Sequence, residues 1–148
     1  MQVQVKVVTE DKTKRAQQFI ENIPHAKALG MEVTDIGDGF AQIEMNYDKR
    51  FVGDPDTGVI SGGAVSALMD TCCGAAVMSH PDVVGATATI DLRIDYMRGA
   101  KPGDRICARA EVYHLTRSVA FVRAKSFDSD TENPVATATG AFTAEKKS

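Results

Sequence analysis

Residues 61 to 81, SGGAVSALMDTCCGAAVMSHP, constrain this chain more than any other stretch. They carry its longest helical pattern, and after them the sequence changes to a period of two. On a helix from about Gly62 to His80, Val65, Leu68, Met69, Cys72 and Ala76 share one side, the spacing of a face that packs on a core. Ser61 is a good N-cap and Pro81 stops the helix. Next, Thr87, Thr89, Asp91, Arg93 and Asp95 alternate with Ala88, Ile90, Leu92, Ile94 and Tyr96. AKPGD turns the chain, and Ile106, Ala108, Ala110 and Val112 alternate again. VAFVRAKSFD and PVATATGAFTAE complete four long antiparallel strands with short connections.

Upstream, Ala16, Phe19, Ile20 and Ile23 predict an amphipathic helix over Lys12 to Ile23, stopped by Pro24. Met31, Val33 and Ile36, then a GDG turn, then Ala41, Ile43 and Met45 predict a hairpin. Residues 47 to 60, with Gly53, Pro55 and Gly58, read as a loop. One central helix covering one face of a strongly curved antiparallel sheet of five or six strands makes an α+β domain. A chain of 148 residues fits a single domain spanning 1–148, with residues 1–11 expected as a poorly ordered or peripheral segment.

Composition narrows the function. Seventeen Lys and Arg against twenty Asp and Glu give a net charge of −3, and no basic run exceeds Lys146-Lys147. Nucleic acid as a partner is therefore not expected, since phosphate backbones need a clustered basic surface. The N-terminus lacks a secretory apolar core, and no window reaches the ~18 apolar residues that span a bilayer, so no membrane partner is expected. Cys72, Cys73 and Cys107 are odd in number and lack CxxC spacing, which argues against a disulfide framework and a zinc site. They read as reduced packing residues, in keeping with a reducing cytoplasm.

Asp70 stands alone among small and apolar residues. Gly63, Ser66, Ala67, Asp70, Gly74 and Val77 share its helical face, and small residues there let another surface approach closely. A carboxylate so placed must be paired or solvated. Read structurally, it hydrogen-bonds a hydroxyl or a backbone group across an interface. Read functionally, it is a base. The N–H groups of Gly62 and Gly63 at the helix start favour a developing negative charge. They lie about 12 Å from Asp70 by helix rise, so one cleft holds both only if a neighbouring subunit completes it. His25, His80 and His114 look incidental.

LGMEV, SGGAVSALMDTCCG, TIDLRIDYMRGAKPGD and PVATATGAF together resemble the hotdog-fold acyl-CoA thioesterases of the phenylacetate-degradation type, over roughly residues 28 to 144. That family wraps an antiparallel sheet around one long helix. Its pattern places a Gly-Gly pair at the helix start and an Asp seven residues after the second glycine, as Gly62-Gly63 and Asp70 stand here. The resemblance implies a homodimer or homotetramer with its active site between subunits, and hydrolysis of acyl-CoA without metal or cofactor, coenzyme A being part of the substrate. It implies that Asp70 acts as nucleophile or general base, that the Gly62 N–H polarises the thioester carbonyl, and that Thr89 orients water. It also implies a CoA-contacting turn at Thr116, Arg117 and Ser118. Arg123 and Lys125 add charge around that turn, and Arg98 with Lys101 add cations on another.

Two departures stand out. The family's usual His before Gly-Gly is Ser61, and the loop FVGDPDTGVI has no Asn; the place falls near Pro55, beside Asp54 and Asp56. Loss of the His leaves open a non-catalytic acyl-CoA or acyl-carrier binding protein. A hotdog hydratase or dehydratase fits less well, because no His lies near Asp70 in the pattern. Ala67, Gly74 and Ala75 leave room for a bulky, aromatic acyl group.

Overall fold

The protein is described by a computed structural model, for the backbone of residues 2–148 and for side chains from Asp11 onward. The expectation of a peripheral segment over residues 1–11 lies outside the described side chains, Asp11 excepted.

The elements run α1 (Gln2–Glu21), α2 (Pro24–Ala28), β1 (Glu32–Gly37), β2 (Phe40–Met45), β3 (Val52–Asp54), β4 (Val59–Ile60), α3 (Gly62–Ser79), β5 (Val83–Val84), β6 (Thr89–Tyr96), β7 (Ile106–Leu115), β8 (Val119–Phe127), β9 (Ala136–Thr143) and β10 (Glu145–Lys146). Six strands form one antiparallel sheet in the order β1-β2-β7-β8-β9-β6. The central helix, the hairpin and the four later strands stand where the sequence puts them.

Three local readings change. The helix expected over Lys12 to Ile23 starts ten residues earlier and runs over Gln2–Glu21. Pro24 ends α1 but also opens α2 as its first helical residue, where a missing N–H costs nothing. The stretch read as a loop holds a 3-10 turn at Lys49–Phe51 and the small β3–β4 hairpin. Strands of two and three residues are too short for alternation to register.

The core lies between α3 and the inner sheet face. Val65, Leu68, Met69, Cys72, Cys73, Ala76 and Val77 form a buried stripe down the helix. Val77 is fully buried and belongs to this stripe, not to the Asp70 face. Opposite stand Ala41, Ile43, Met45, Ile106, Ala108, Ala110, Ala120, Val122, Ala124 and Phe142, all buried. Alanines at alternate inward positions let the sheet close on the helix, so Cys72 Sγ reaches the carbonyls of Ala41 and Ala108 at 3.3 and 3.4 Å. Burial pushes the Cys72 thiol up, and burial plus the charge of Asp70 pushes Cys73 up to about 12. Both are neutral packing groups.

Candidate active site

Asp70 is half-buried on the exposed side of α3. The Thr89 hydroxyl donates to its Oδ1 at 2.6 Å. Strict alternation along β6 would send Thr89 outward with Asp91, Arg93 and Asp95. Instead the register slips between Thr89 and Asp91. Ile90 is the extra residue of the bulge, 56% exposed. The bulge turns Thr89 to the helix side, where Leu92 and Ile94 also pack.

Gly140 on β9 makes room for this kink. A Cβ there would stand 2.6 Å from the Asp91 carbonyl oxygen and 2.9 Å from Leu92 Cδ1. Gly140→Ala is expected to push the bulge aside and to cost about 1–3 kcal/mol, the usual range for overpacking. Chemical denaturation measures it; an unchanged midpoint would mean that the bulge does not lean on Gly140.

At the other end of β6, Tyr96 reaches the start of α3. Its hydroxyl donates to the Gly62 carbonyl at 2.8 Å and accepts from the Ser66 hydroxyl. Its ring lies 3.4 Å from where a Gly62 Cβ would stand. Ser61 caps the helix as expected, its Oγ accepting from the Gly63 N–H at 3.2 Å. The Gly63 N–H is thus already used, whereas the Gly62 N–H has no hydrogen-bond partner among the described residues. Sequence reasoning missed Tyr96 and Ser66. The available signal was their position: Tyr96 ends β6 as Gly62 begins α3.

Within one chain the pieces stay apart. Asp70 and Thr89 sit at one end of the α3–β6 pair, Gly62 and Tyr96 at the other, eight residues or about 12 Å of helix away. The turn of Thr116, Arg117 and Ser118 lies at the Asp70 end. It meets the C-terminal end of β9 through Thr143, which also bonds Thr87 and Ala88. Thr116 Oγ1 is spent inside the turn, accepting from the Val119 N–H. Arg117 and Ser118 are exposed.

Lys101 is exposed at the far end. Arg98 is not available to a ligand. Its guanidinium forks onto Asp128 at 2.6 and 2.7 Å, and its remaining N–H groups bond the carbonyls of Asn133 and Gly99. The expectation that Arg98 binds CoA is therefore corrected: every donor is committed to folding a loop. Asp54, one of the two acids beside the place of the missing Asn, accepts from Thr57 Oγ1 and the Asp56 N–H, which lowers its pKa and makes it part of a turn.

Around Asp70 lies a pocket of about 300 Å³ bounded by α1, α2, α3 and the Thr87–Thr89 segment. Asp70 Oδ2 has no hydrogen-bond partner among the described residues. No His bonds Asp70, and no group of three His, Cys, Asp or Glu is placed to hold a metal, among the described residues.

A family profile, the Thioesterase superfamily, matches residues 57–135, which run from the β3–β4 turn through α3 and β6 to the start of β9. The chain belongs to the thioesterase superfamily. Its relatives include the medium/long-chain acyl-CoA thioesterase YigI of Salmonella typhimurium, 26% identical over 127 residues covering 77% of this chain and 81% of that one. Acyl-coenzyme A thioesterase PaaI of Escherichia coli is 30% identical over 101 residues, 68% and 69% of the two chains. Among solved structures, a Pseudomonas aeruginosa protein superposes with a TM-score of 0.78 at 35% identity, covering 89% of this chain and 98% of its own. The PaaI structure gives 0.79 at 24% identity over 92% and 94%, which shows the shared hotdog fold. In this thioesterase, then, the helix start and the lone helical carboxylate fall inside the matched segment. No helix of the described residues is long and apolar enough to cross a membrane.

Proposed function

We propose that this chain hydrolyses acyl-CoA thioesters to a free acid and CoA, with Asp70 as the driving group. The observation that carries this is the Asp70 carboxylate, oriented by Thr89 through one oxygen and free at the other, on the wall of a pocket. In the general-base route Oδ2 takes a proton from water as its oxygen attacks the carbonyl carbon. The C–S bond then breaks, and the proton passes to the departing thiolate. In the nucleophilic route Oδ2 attacks the carbonyl carbon and the C–S bond breaks to expel the CoA thiolate; water then opens the resulting anhydride, and its proton passes to the thiolate. Both need a donor for the oxyanion, and the unpaired Gly62 N–H suits it. Tyr96 steadies that donor by bonding the next carbonyl and covering Gly62.

Because Gly62 and Asp70 of one chain are too far apart, the reading requires a homodimer. β6 supports it. It is the sheet edge that α1 leaves uncovered, and it exposes Ile90, Tyr96 and, just beyond, Met97. Pairing two β6 strands antiparallel about a two-fold axis sets the Thr89 end of one against the Tyr96 end of the other. Each Asp70 then faces Gly62 of the partner subunit, and Arg117 with Ser118 shares the mouth with Lys101 of the partner subunit, where CoA phosphates would lie. Three free cysteines support a reducing, cytoplasmic setting.

The test is thiol release from a panel of short, medium, long and aromatic acyl-CoAs, with sedimentation beside it. Release by a dimer or tetramer, lost together with assembly in Ile90→Arg, is expected. Tight acyl-CoA binding with no release would instead favour the binding-protein reading that Ser61 motivates.

A further inference from the structure

The pocket beside Asp70 is closed on one side by the N-terminal helices, and its walls have a chemistry of their own. Phe19, Ile20 and Ile23 from α1 and its exit face Ala75 and Met78 on α3, with Phe142 of β9 at the base. Ile20 and Phe142 are 2% and 1% exposed, so two of these walls are continuous with the core. The roof is fastened. Gln17 Oε1 accepts from the Val33 N–H at 2.6 Å, its Nε2 donates to the Met31 carbonyl at 3.3 Å, and the buried Ala26 holds α2 down. The ionisable groups lining the pocket are Asp70, already placed at the reacting carbonyl, and His25, exposed on α2.

We infer that this pocket holds the acyl chain, and that it selects unbranched medium-length chains with a ceiling near ten carbons. The inference rests on the proposed thioesterase reading for the position of the carbonyl, at Asp70. From there the chain runs along the small residues Gly74 and Ala75 toward Met78, under Phe19 and Ile23.

Volume sets the length. A pocket of about 300 Å³ takes about ten groups the size of a water, whose share of liquid is about 30 Å³, and a methylene is close to that size. At the same size per carbon, the seven carbons of a phenylacetyl group beyond its carbonyl would fill roughly two-thirds of it and, being rigid, leave the far wall without contact partners, which forfeits dispersion energy. Of the small residues that suggested an aromatic group in the sequence, Gly74 and Ala75 form only one wall; Ile20, Ile23, the flexible thioether of Met78 and the rings of Phe19 and Phe142 supply others. Each buried methylene should tighten binding about fourfold until the pocket is full.

Binding of S-alkyl-CoA thioethers separates this inference from the catalytic reading, since thioethers cannot be hydrolysed. Titration calorimetry with butyl, octyl, decyl, tetradecyl and phenethyl thioethers is run on the full chain. Affinity is expected to rise at least a hundredfold from butyl to decyl and then to level off, with phenethyl weaker than octyl. Ala75→Leu, which fills the pocket, moves the plateau to shorter chains, and Met78→Ala moves it to longer ones. In hydrolysis, the ratio of kcat/KM for decanoyl-CoA to butanoyl-CoA falls at least tenfold in Ala75→Leu. Affinity independent of chain length, a phenethyl optimum, or a plateau unmoved in both variants overturns the inference. A plateau with no hydrolysis of any acyl-CoA upholds the pocket and overturns only the thioesterase reading.

Discussion

Asp70→Asn is expected to fold and assemble as the parent protein does and to release thiol about a thousandfold more slowly. The change is nearly isosteric. Asn Oδ1 still accepts from the Thr89 hydroxyl that holds Asp70 at 2.6 Å, so the side chain keeps its place on α3. What disappears is the oxygen that takes a proton or attacks. Positioned acid–base groups contribute roughly 10²–10⁴-fold to rate, and the expected loss sits in the middle of that range. Asp70 lies outside the buried helical stripe, so the melting temperature should barely move. Thr89→Ala removes the orienting bond but not the charge and should cost less, on the order of tenfold. Paired thiol-release and melting measurements decide the matter. An Asn variant that turns over normally but unfolds early would make Asp70 a structural carboxylate. One that is stable, assembled and inactive ties the chemistry to this atom.

The helix and its core face could be read directly from sequence because burial follows a strict three-four spacing from Val65 to Val77. The two hairpin strands and four later strands were legible for the same reason, with period two and clear turns. The position of Thr89 was not legible from period. A single-residue bulge reverses every inference from alternation beyond it, and its signal is a glycine on another strand, Gly140, whose missing side chain makes space for Asp91. The resemblance to thioesterases pointed to Thr89 because a family pattern carries the bulge implicitly. Tyr96 and Ser66 meet only once β6 lies beside α3, a tertiary fact with no local mark. Arg98 was misread for a related reason. A cation in a turn looks solvated in sequence, and its partner, Asp128, stands thirty residues on.

That partner makes the second large prediction. Asp128 is almost fully buried, its side chain 1% exposed, while Arg98 is 30% exposed. Both carboxylate oxygens are committed: they take the Arg98 fork, the Lys101 N–H at 2.9 Å and the Asp130 N–H at 2.9 Å. Arg98 in turn bonds the Asn133 and Gly99 carbonyls, so the pair ties the turn after β6 to the loop before β9. Removing one member of such a pair strands the other, at a cost of about 3–5 kcal/mol when both are buried. The partial exposure of Arg98 puts Asp128→Ala near the low end, about 3 kcal/mol, or roughly 6–12 °C in melting temperature for a chain of this size. The hydrogen bonds from Arg98 hold the Asp128 carboxyl well below the usual carboxylate range. In the unfolded chain it titrates near 3.9, so below about pH 4 the unfolded state takes up a proton that the native state refuses. This stabilisation is therefore complete above about pH 5 and is lost as the pH falls through 4 and lower. Melting curves at fixed protein concentration between pH 7 and pH 3 should show the parent and Asp128→Ala converging as the pH falls. A constant gap across that range would mean that the variant fails through lost packing and not through the lost charge pair.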